Sequence, residues 1–146
     1  EGAKGMIVLV ADMIMAKTVA RIGKRQQALL EQFWPGPLSA LLQARPGLHA
    51  LLCVDGKVAL RVSPNAMAAA LCRALGPITS TSANFAGHPP ARTAPGVQGQ
   101  GLEIDAILDG GTTPGGAPST LADLTVKPIR CLRVGALPWS DISGRE

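Results

Sequence analysis

The dipeptide Asp55-Gly56, which lies between two apolar runs, constrains the fold more than any other feature of this sequence. A two-residue Asp-Gly loop is the strongest short signal for a β-hairpin, so 49–54 and 57–62 are predicted to pair as antiparallel strands. A continuous apolar run over 6–10 is typical of a strand buried on both faces. Strands and helices follow one another without strict β-α-β alternation, which favours an α/β fold with a mixed sheet.

Helices and further strands are predicted around that hairpin from spacing and from glycine and proline signals. Residues 12–32 have helical spacing with a break near Gly23, and the proline-rich step 34–37 ends the helix. Ser63-Pro64 is predicted to open a second helix that ends at Gly76. Further strands are predicted at 38–42, around Ile78, and at 104–108, 121–124 and 129–134, and a surface loop with at most a short helix at 87–101.

Composition indicates a folded single domain covering residues 1–146. Hydrophobic residues make up 47% of the chain and charged residues 16%, which excludes intrinsic disorder. No apolar run approaches the roughly 18 residues of a membrane helix, so a cytoplasmic protein without membrane association is predicted. The three cysteines share no Cys-x-x-Cys spacing, which indicates neither a zinc site nor a disulfide framework.

Positive charge is concentrated in the first part of the chain. Residues 1–92 hold ten Lys and Arg against four Asp and Glu, and the remainder holds four against six. Such a basic half can attract nucleic acid or phosphorylated ligands. The alternative is an ordinary solvated helix face, which is favoured because no aromatic residues interleave to stack bases. Within this half, four cations crowd into nine positions: Lys17, Arg21, Lys24 and Arg25.

Two polar segments follow apolar ones and are candidates for a ligand site. The octapeptide 80–87 gathers three hydroxyls, the amide of Asn84 and a final glycine, and can offer many donors to a phosphate, a nucleotide or an amino acid. The stretch 109–120 has four glycines, which let a backbone approach a ligand, followed by Ser119 and Thr120. Strand alternation also turns Arg61 away from the apolar face, where it could line a cleft.

Common catalytic motifs are absent from the sequence. No lysine follows the glycines as in a Walker loop, and no Gly-x-Ser-x-Gly elbow occurs. His49 and His88 are the only histidines, and neither is near Ser80 or Ser82, so a Ser-His-Asp triad is poorly supported. The sequence offers no candidate for a covalent nucleophile.

Five short motifs occur in order along the chain: Phe33-Trp34-Pro35-Gly36-Pro37-Leu38, Leu60-Arg61-Val62, Ser80-Thr81-Ser82-Ala83-Asn84 with Gly87, Asp109-Gly110-Gly111 with Ser119-Thr120, and Leu132-Arg133-Val134-Gly135-Ala136. Each motif is weak by itself, but the five in this order are specific, and they cover the chain from about Lys4 to Ala136. Together they resemble the YrdC-like family, the threonylcarbamoyl-AMP synthases of tRNA modification.

The resemblance implies a reaction in which L-threonine, bicarbonate and ATP give threonylcarbamoyl-AMP and pyrophosphate. ATP would be the substrate, together with its bound Mg²⁺, and partner proteins would transfer the threonylcarbamoyl group to tRNA. The implied fold is a twisted mixed β-sheet with flanking helices and a concave basic face. Catalysis would rest on positioning and on charge neutralisation of the phosphates.

The family's ligand contacts can be carried over to individual positions. Arg61 matches an arginine that contacts nucleotide phosphate, a task that suits its fixed charge and forked donors. Ser82 and Arg133 match further nucleotide-contacting positions. Ser80 and Ser119 match threonine-contacting positions, and Asn65, which stands where the family usually has histidine or threonine, is also predicted to bind threonine. The remaining matched positions are implied to shape loops: Asn84, Gly87, Gly110 and Gly111.

The sequence also departs from the family pattern. A Pro-Thr-Asp-Thr-like turn and a Lys-x-Arg motif that grips ATP should precede Glu1, so an amino-terminally truncated member is predicted. Lys24-Arg25 follows the first strand and lies in a helix, where it cannot replace that motif. The carboxyl-terminal extension domain of longer family members has no counterpart.

Other interpretations of the same residues remain open. Arg61 can be an exposed strand arginine, and Ser80 and Ser82 can cap a strand end. Gly110 and Gly111 can simply allow a backbone conformation without contacting a ligand. At the level of the whole chain, one alternative is a non-catalytic module that binds double-stranded RNA or nucleotides. A second is the related carbamoyl-adenylate chemistry of hydrogenase maturation, which predicts a longer parent chain with zinc-finger-like and acylphosphatase-like modules.

Overall fold

The computed structural model describes residues 6–145, so Lys4, where the resemblance begins, lies outside the described residues. The chain divides into two compact units. The first consists of the residues up to Ser80 together with those from Ala117 onwards, and the second is Thr81–Gly116.

The first unit is built on one mixed β-sheet. Within the described residues its eight strands are β1 (Ile7–Val10), β2 (Ala20–Arg21), β3 (Leu38–Ala44), β4 (Cys53–Val54), β5 (Lys57–Val62), β6 (Ile78–Ser80), β7 (Thr120–Asp123) and β8 (Arg130–Arg133). The main path runs β6-β1-β5-β3-β7-β8, with β2 paired to β3 and β4 paired to β5. The pairs β1–β5 and β3–β7 are parallel and the others are antiparallel. The predicted α/β class with a mixed sheet is confirmed.

Helices join these strands and have recognisable ends. They are α1 (Met13–Val19), α2 (Lys24–Phe33), α3 (Ala66–Leu75), α4 (Ala94–Gly99) in the second unit, and α5 (Trp139–Ile142). The carboxylate of Asp12 caps α1 by accepting from the Met15 N–H at 2.9 Å. Gly76, at φ +87°, ends α3 as predicted, because a left-handed residue is needed there. No helix within residues 6–145 has the length and apolar character needed to cross a bilayer.

Alternate strand residues form the hydrophobic core of the first unit. Val8, Leu42 and Leu60 are almost completely buried, as are their neighbours on the same side of the sheet. Helices α1, α2 and α5 cover this side and bury Ala16, Leu30 and other apolar residues against it. Because successive strand residues point to opposite sides, the intervening residues form a second face of the sheet.

The Asp55-Gly56 hairpin is confirmed, but its first arm is shorter than predicted. Asp55 and Gly56 have φ angles of +52° and +71°, which match a two-residue loop with both residues left-handed. Cys53 pairs with Val58. The preceding residues, predicted as strand, instead form a short 3-10 turn over Ala50–Leu52.

Two other predicted elements differ from the structure. Asn65, rather than Ser63, caps α3, so the helix begins two residues later than expected. The Ser63 hydroxyl accepts from the Asn65 N–H at 3.2 Å and shapes the approach to the helix. The predicted break near Gly23 is a short strand, β2, which pairs with the end of β3.

The second unit has little regular structure beyond α4. The residues 104–108, predicted as a strand, are not a strand, and Ile104 and Leu108 are exposed. An apolar run without a neighbouring strand has no ladder to join, so hydropathy alone misled the prediction. The side chain of Arg92 organises the unit instead, by donating to the carbonyls of Thr113 and Pro114 at 3.0 and 2.9 Å.

Candidate functional site

Strand register brings several predicted site residues to the second face of the sheet. Arg61 lies opposite Leu9, and Arg133 lies opposite Leu121. Ser80 lies opposite Ile7, which is two residues before Leu9 on β1. Paired residues of adjacent strands project to the same side. Leu41 of β3 lies opposite both Ala59 of β5 and Asp123 of β7, which are two residues from Arg61 and Leu121, respectively. Arg61, Ser80 and Arg133 therefore share one face, although they come from three distant parts of the chain.

Ser119 is the centre of a buried hydrogen-bond cluster beside this face. Its hydroxyl lies 2.7 Å from that of Ser39, and both residues are buried. Arg133 donates to the Ser119 carbonyl from Nε at 3.1 Å and from Nη2 at 2.8 Å, and Nη2 also reaches the Ser119 hydroxyl at 3.2 Å. A hydroxyl held from two sides has a defined direction, so this cluster fixes both Ser119 and the guanidinium of Arg133.

Arg61 is held by the loop that ends α2. Its Nε donates to the Gly36 carbonyl at 3.0 Å, and the Gly36 N–H donates to the Val62 carbonyl at the same distance. The proline-rich step that ends the helix is thus also the support of a site arginine. A Cβ on Gly36 would lie 2.3 Å from the Phe33 carbonyl oxygen, so this tight turn requires glycine.

The two arginines lie close enough to repel each other. Burial and, after it, the charge of Arg133 lower the pKa of Arg61 below its usual value. The ion pairs within residues 6–145 are Lys57–Asp123 and Arg130–Asp123, so neither Arg61 nor Arg133 has a carboxylate partner there. Two neighbouring guanidinium groups that lack a carboxylate partner favour the binding of an anionic ligand, because the anion would relieve their mutual repulsion.

The end of β8 is fastened to the start of β7. Thr120 is fully buried, and its hydroxyl donates to the Leu137 carbonyl at 2.6 Å and accepts from the Gly135 N–H at 3.0 Å. A Cβ on Gly135 would lie only 2.1 Å from the Pro118 carbonyl oxygen, so the two segments touch through their backbones. This contact keeps Arg133 beside Ser119.

Asn65 has a structural role in addition to its predicted one. Its Oδ1 accepts from the N–H groups of Met67 and Ala68 at 2.9 and 3.0 Å, which caps α3. The side chain lies three residues beyond the end of β5 and is exposed. Contact with threonine remains a prediction for this residue.

Five predicted site residues belong to the second unit and are described within it alone. Asn84 donates from Nδ2 to the carbonyls of Phe85 and His88 at 3.0 and 2.8 Å, and so closes the turn that follows Ser82. Gly87 and Gly111 have φ angles of +83° and +82°, which favour glycine. The Gly111 N–H donates to the Asp109 carboxylate at 2.8 Å. Ser82 and Gly110 are exposed.

Sequence reasoning missed two parts of this arrangement. Ser39 was not predicted, although a serine inside the apolar strand β3 signals a buried hydrogen bond. The second is Asp123, which is 1% exposed and lies 3.0 Å from the Lys57 amine and 3.6 Å from the Arg130 guanidinium. This ion pair links β7 to β5 across the intervening β3.

Comparison with known proteins identifies the family. The family model described as "Sua5_yciO_yrdC: Telomere recombination" matches residues 1–135. The chain belongs to the Sua5/YciO/YrdC family. The resemblance drawn from the five sequence motifs is therefore confirmed.

Curated relatives of this Sua5/YciO/YrdC chain include threonylcarbamoyl-AMP synthases. That of Chromohalobacter salexigens is 38% identical over 128 residues, which cover 84% of this chain and 68% of the relative. That of Stenotrophomonas maltophilia is 39% identical over 129 residues, with 82% and 68% coverage. The chain thus spans about two thirds of the length of these relatives.

Solved structures share the fold of the Sua5/YciO/YrdC chain. P. abyssi Sua5 complexed with L-threonine superposes with a TM-score of 0.86 at 31% identity, over 97% of this chain and 43% of the Sua5 chain. E. coli YciO superposes with a TM-score of 0.84 at 24% identity, over 97% of this chain and 71% of that one. The YciO likeness concerns the fold alone.

Proposed function

We propose that this chain is a threonylcarbamoyl-AMP synthase domain, which forms threonylcarbamoyl-AMP and pyrophosphate from L-threonine, bicarbonate and ATP. The observation that carries the proposal is the pair Arg61 and Arg133, two cations on one sheet face without a carboxylate partner in the described part of the chain. Formation of an acyl adenylate leaves negative charge on the departing pyrophosphate. Fixed guanidinium groups stabilise such charge because they are already oriented before the reaction begins.

Arg61 and Arg133 would bind the nucleotide phosphates, with Ser82 as a further nucleotide contact. The terminal nitrogens of Arg61 remain available for this, since its hydrogen bond to Gly36 uses Nε. A guanidinium that is anchored through one nitrogen can present the other two to a pair of phosphate oxygens. No side chain is proposed to act as a covalent nucleophile.

Ser80, Ser119 and Asn65 would bind threonine. The Sua5 structure that the chain resembles holds L-threonine, which supports an amino-acid site in this fold. Ser119 suits the task because Ser39 and Arg133 hold its hydroxyl in one orientation. Asn84, Gly87, Gly110 and Gly111 would shape the loops of the same single domain.

Magnesium enters the proposal only as part of the ATP complex. No group of three or more His, Cys, Asp or Glu side chains in residues 6–145 could hold a metal ion. The side chains of this range therefore do not fit a resident metal site, and phosphate oxygens would coordinate the Mg²⁺ that accompanies ATP.

The proposed product would pass to tRNA-modification partner proteins, and the activity would be cytoplasmic. A basic face that contacts RNA is a further part of the proposal, supported by the excess of positive charge in residues 1–92. A module that binds RNA or nucleotides without catalysis is the competing function. It predicts RNA binding that weakens steeply with salt and no release of pyrophosphate.

The decisive experiment incubates the chain with ATP, bicarbonate and labelled threonine and separates the products. We expect labelled threonylcarbamoyl-AMP, and a loss of about 100-fold in turnover for Arg61→Ala. Arg73→Ala is the matched control, because Arg73 is exposed on α3 and its replacement by alanine removes the same positive charge. A second protein carries the preceding segment of a curated relative ahead of Glu1. If neither protein forms product while both are folded, the synthase assignment is wrong.

A further inference from the structure

A cavity of about 330 Å³ lies between α2 and the segment that joins β7 to β8, within the first unit. Its walls are apolar and include Leu29 and Leu124, which are 4% and 5% exposed. Val126 and Ile129 complete these walls. Cavities of this size accommodate small organic molecules.

Positive charge surrounds this cavity. Four cations line it: Lys24, Arg25, Lys127 and Arg145. An adjoining cavity of about 470 Å³ shares Gly23, Gln26 and Thr125 with the first and adds Arg21 and Arg45. No aspartate or glutamate of the described range lines either one. The crowded cations noted in the sequence thus belong largely to one concave surface.

This surface is distinct from the proposed nucleotide and threonine site. The adjoining cavity reaches Gln43 and Thr125, near the ends of β3 and β7. The proposed site lies at the beginnings of the same two strands, beside Ser39 and Ser119. Four residues of extended strand separate Ser39 from Gln43, a distance of about 13 Å.

The walls and rim are held in place by hydrogen bonds. Gln26 donates to the Leu124 carbonyl at 2.7 Å and accepts from the Gly23 N–H at 2.9 Å, which joins α2 to the end of β7. Arg145 donates to Gln32 and stacks over the Phe33 ring at 5.6 Å. A cavity that is already formed needs little ordering to bind a ligand.

We infer that this cavity binds an amphipathic organic anion, with an apolar body the size of one or two rings and a phosphate, sulfonate or carboxylate group. The apolar walls would bury the body, and Lys24, Arg25 or Lys127 would pair with the anionic group. A nucleic acid is the less suitable occupant, because no aromatic side chain lines the cavity to stack a base.

The test uses 1-naphthyl phosphate as the probe and the ¹⁵N-labelled 146-residue chain as the receptor. We expect saturable binding with amide shifts centred on Gly23, Gln26 and Thr125. Inorganic phosphate lacks the apolar body and 1-naphthol lacks the anionic group, so each should bind at least tenfold more weakly than 1-naphthyl phosphate. Binding should also weaken as salt is raised, because the rim cations are exposed.

Exposed-cation variants test the location without disturbing the core. The double variant Lys24→Gln and Lys127→Gln should weaken 1-naphthyl phosphate binding roughly tenfold. Arg73→Gln, on α3, should bind like the parent chain, and thermal unfolding verifies that both variants are folded. The proposal is overturned if the double variant binds normally, if the shifts centre on Arg61 and Arg133, or if inorganic phosphate binds as tightly. It is equally overturned if an RNA duplex shifts these amides and the naphthyl probe does not.

Discussion

Replacement of Gly135 by alanine tests the backbone contact that fastens the end of β8 to the start of β7. The added Cβ would lie 2.1 Å from the Pro118 carbonyl oxygen and 2.6 Å from the Thr120 nitrogen. Carbon and oxygen atoms without a bond between them need more than 3 Å, so the two segments must separate by about 1 Å. Both neighbours are backbone atoms, and no side-chain rotation can relieve the overlap.

The size of the effect follows from what that separation breaks. Overpacking of a closely packed site costs about 1–3 kcal/mol. The Ala136 N–H donates to the Pro118 carbonyl at 2.8 Å and the Gly135 N–H to the Thr120 hydroxyl at 3.0 Å. Weakening these two hydrogen bonds adds about 1 kcal/mol. The expected loss is about 3 kcal/mol, which lowers the Tm of a chain of this length by about 10 °C.

Thermal unfolding followed by circular dichroism measures this loss. Gly99→Ala is the matched control, because a Cβ on Gly99 meets nothing within 4 Å and its φ is not in the left-handed region. The control should change Tm by less than about 3 °C. A Gly135→Ala protein as stable as the Gly99→Ala protein would refute the inferred contact. Because Arg133 lies two residues from the clash, Gly135→Ala should also weaken threonine binding in the folded protein.

Three further predictions concern single side chains. Burial opposes the ionisation of Asp123, but hydrogen bonds from Thr125 and Lys57 outweigh this effect and lower the pKa of Asp123. The carboxylate therefore stabilises the fold above about pH 4, and this stabilisation is lost as pH falls through the lowered pKa. The Tm of Asp123→Asn should therefore fall less steeply than that of the parent chain as pH is lowered below about 4. An equally steep fall of Tm in the two proteins would contradict this. Asn65→Ala should lower the free energy of unfolding by about 1 kcal/mol because the α3 cap is lost, whereas Asn65→Asp keeps a capping oxygen. Normal threonine affinity in Asn65→Asp would exclude a role for the Asn65 amide in threonine binding. Leu60→Ala should cost about 3 kcal/mol in denaturant unfolding, because Leu60 is fully buried, and a loss below about 1 kcal/mol would contradict its place in the core.

Local signals explain which elements could be predicted. The hairpin was predictable because Asp55 and Gly56 tolerate the left-handed backbone that a two-residue loop needs. The end of α3 at Gly76 was predictable for the same reason. The start of α3 was not, because Ser63 and Asn65 are both good caps, and only the path of the chain after β5 selects between them. The residues 104–108 were misassigned because hydropathy does not say whether a neighbouring strand exists.

The sequence by itself determined the family, the mixed sheet and the identity of the charged residues, since these follow from motif order, turn residues and periodicity. Tertiary structure alone decided that Arg61 and Arg133, which are far apart in the chain, repel each other on one face. Strand register sets that arrangement, and register depends on pairings between distant segments. The hydroxyl of Ser39 beside Ser119 has the same origin, because it requires β3 and β7 to lie in parallel with Leu38 opposite Thr120.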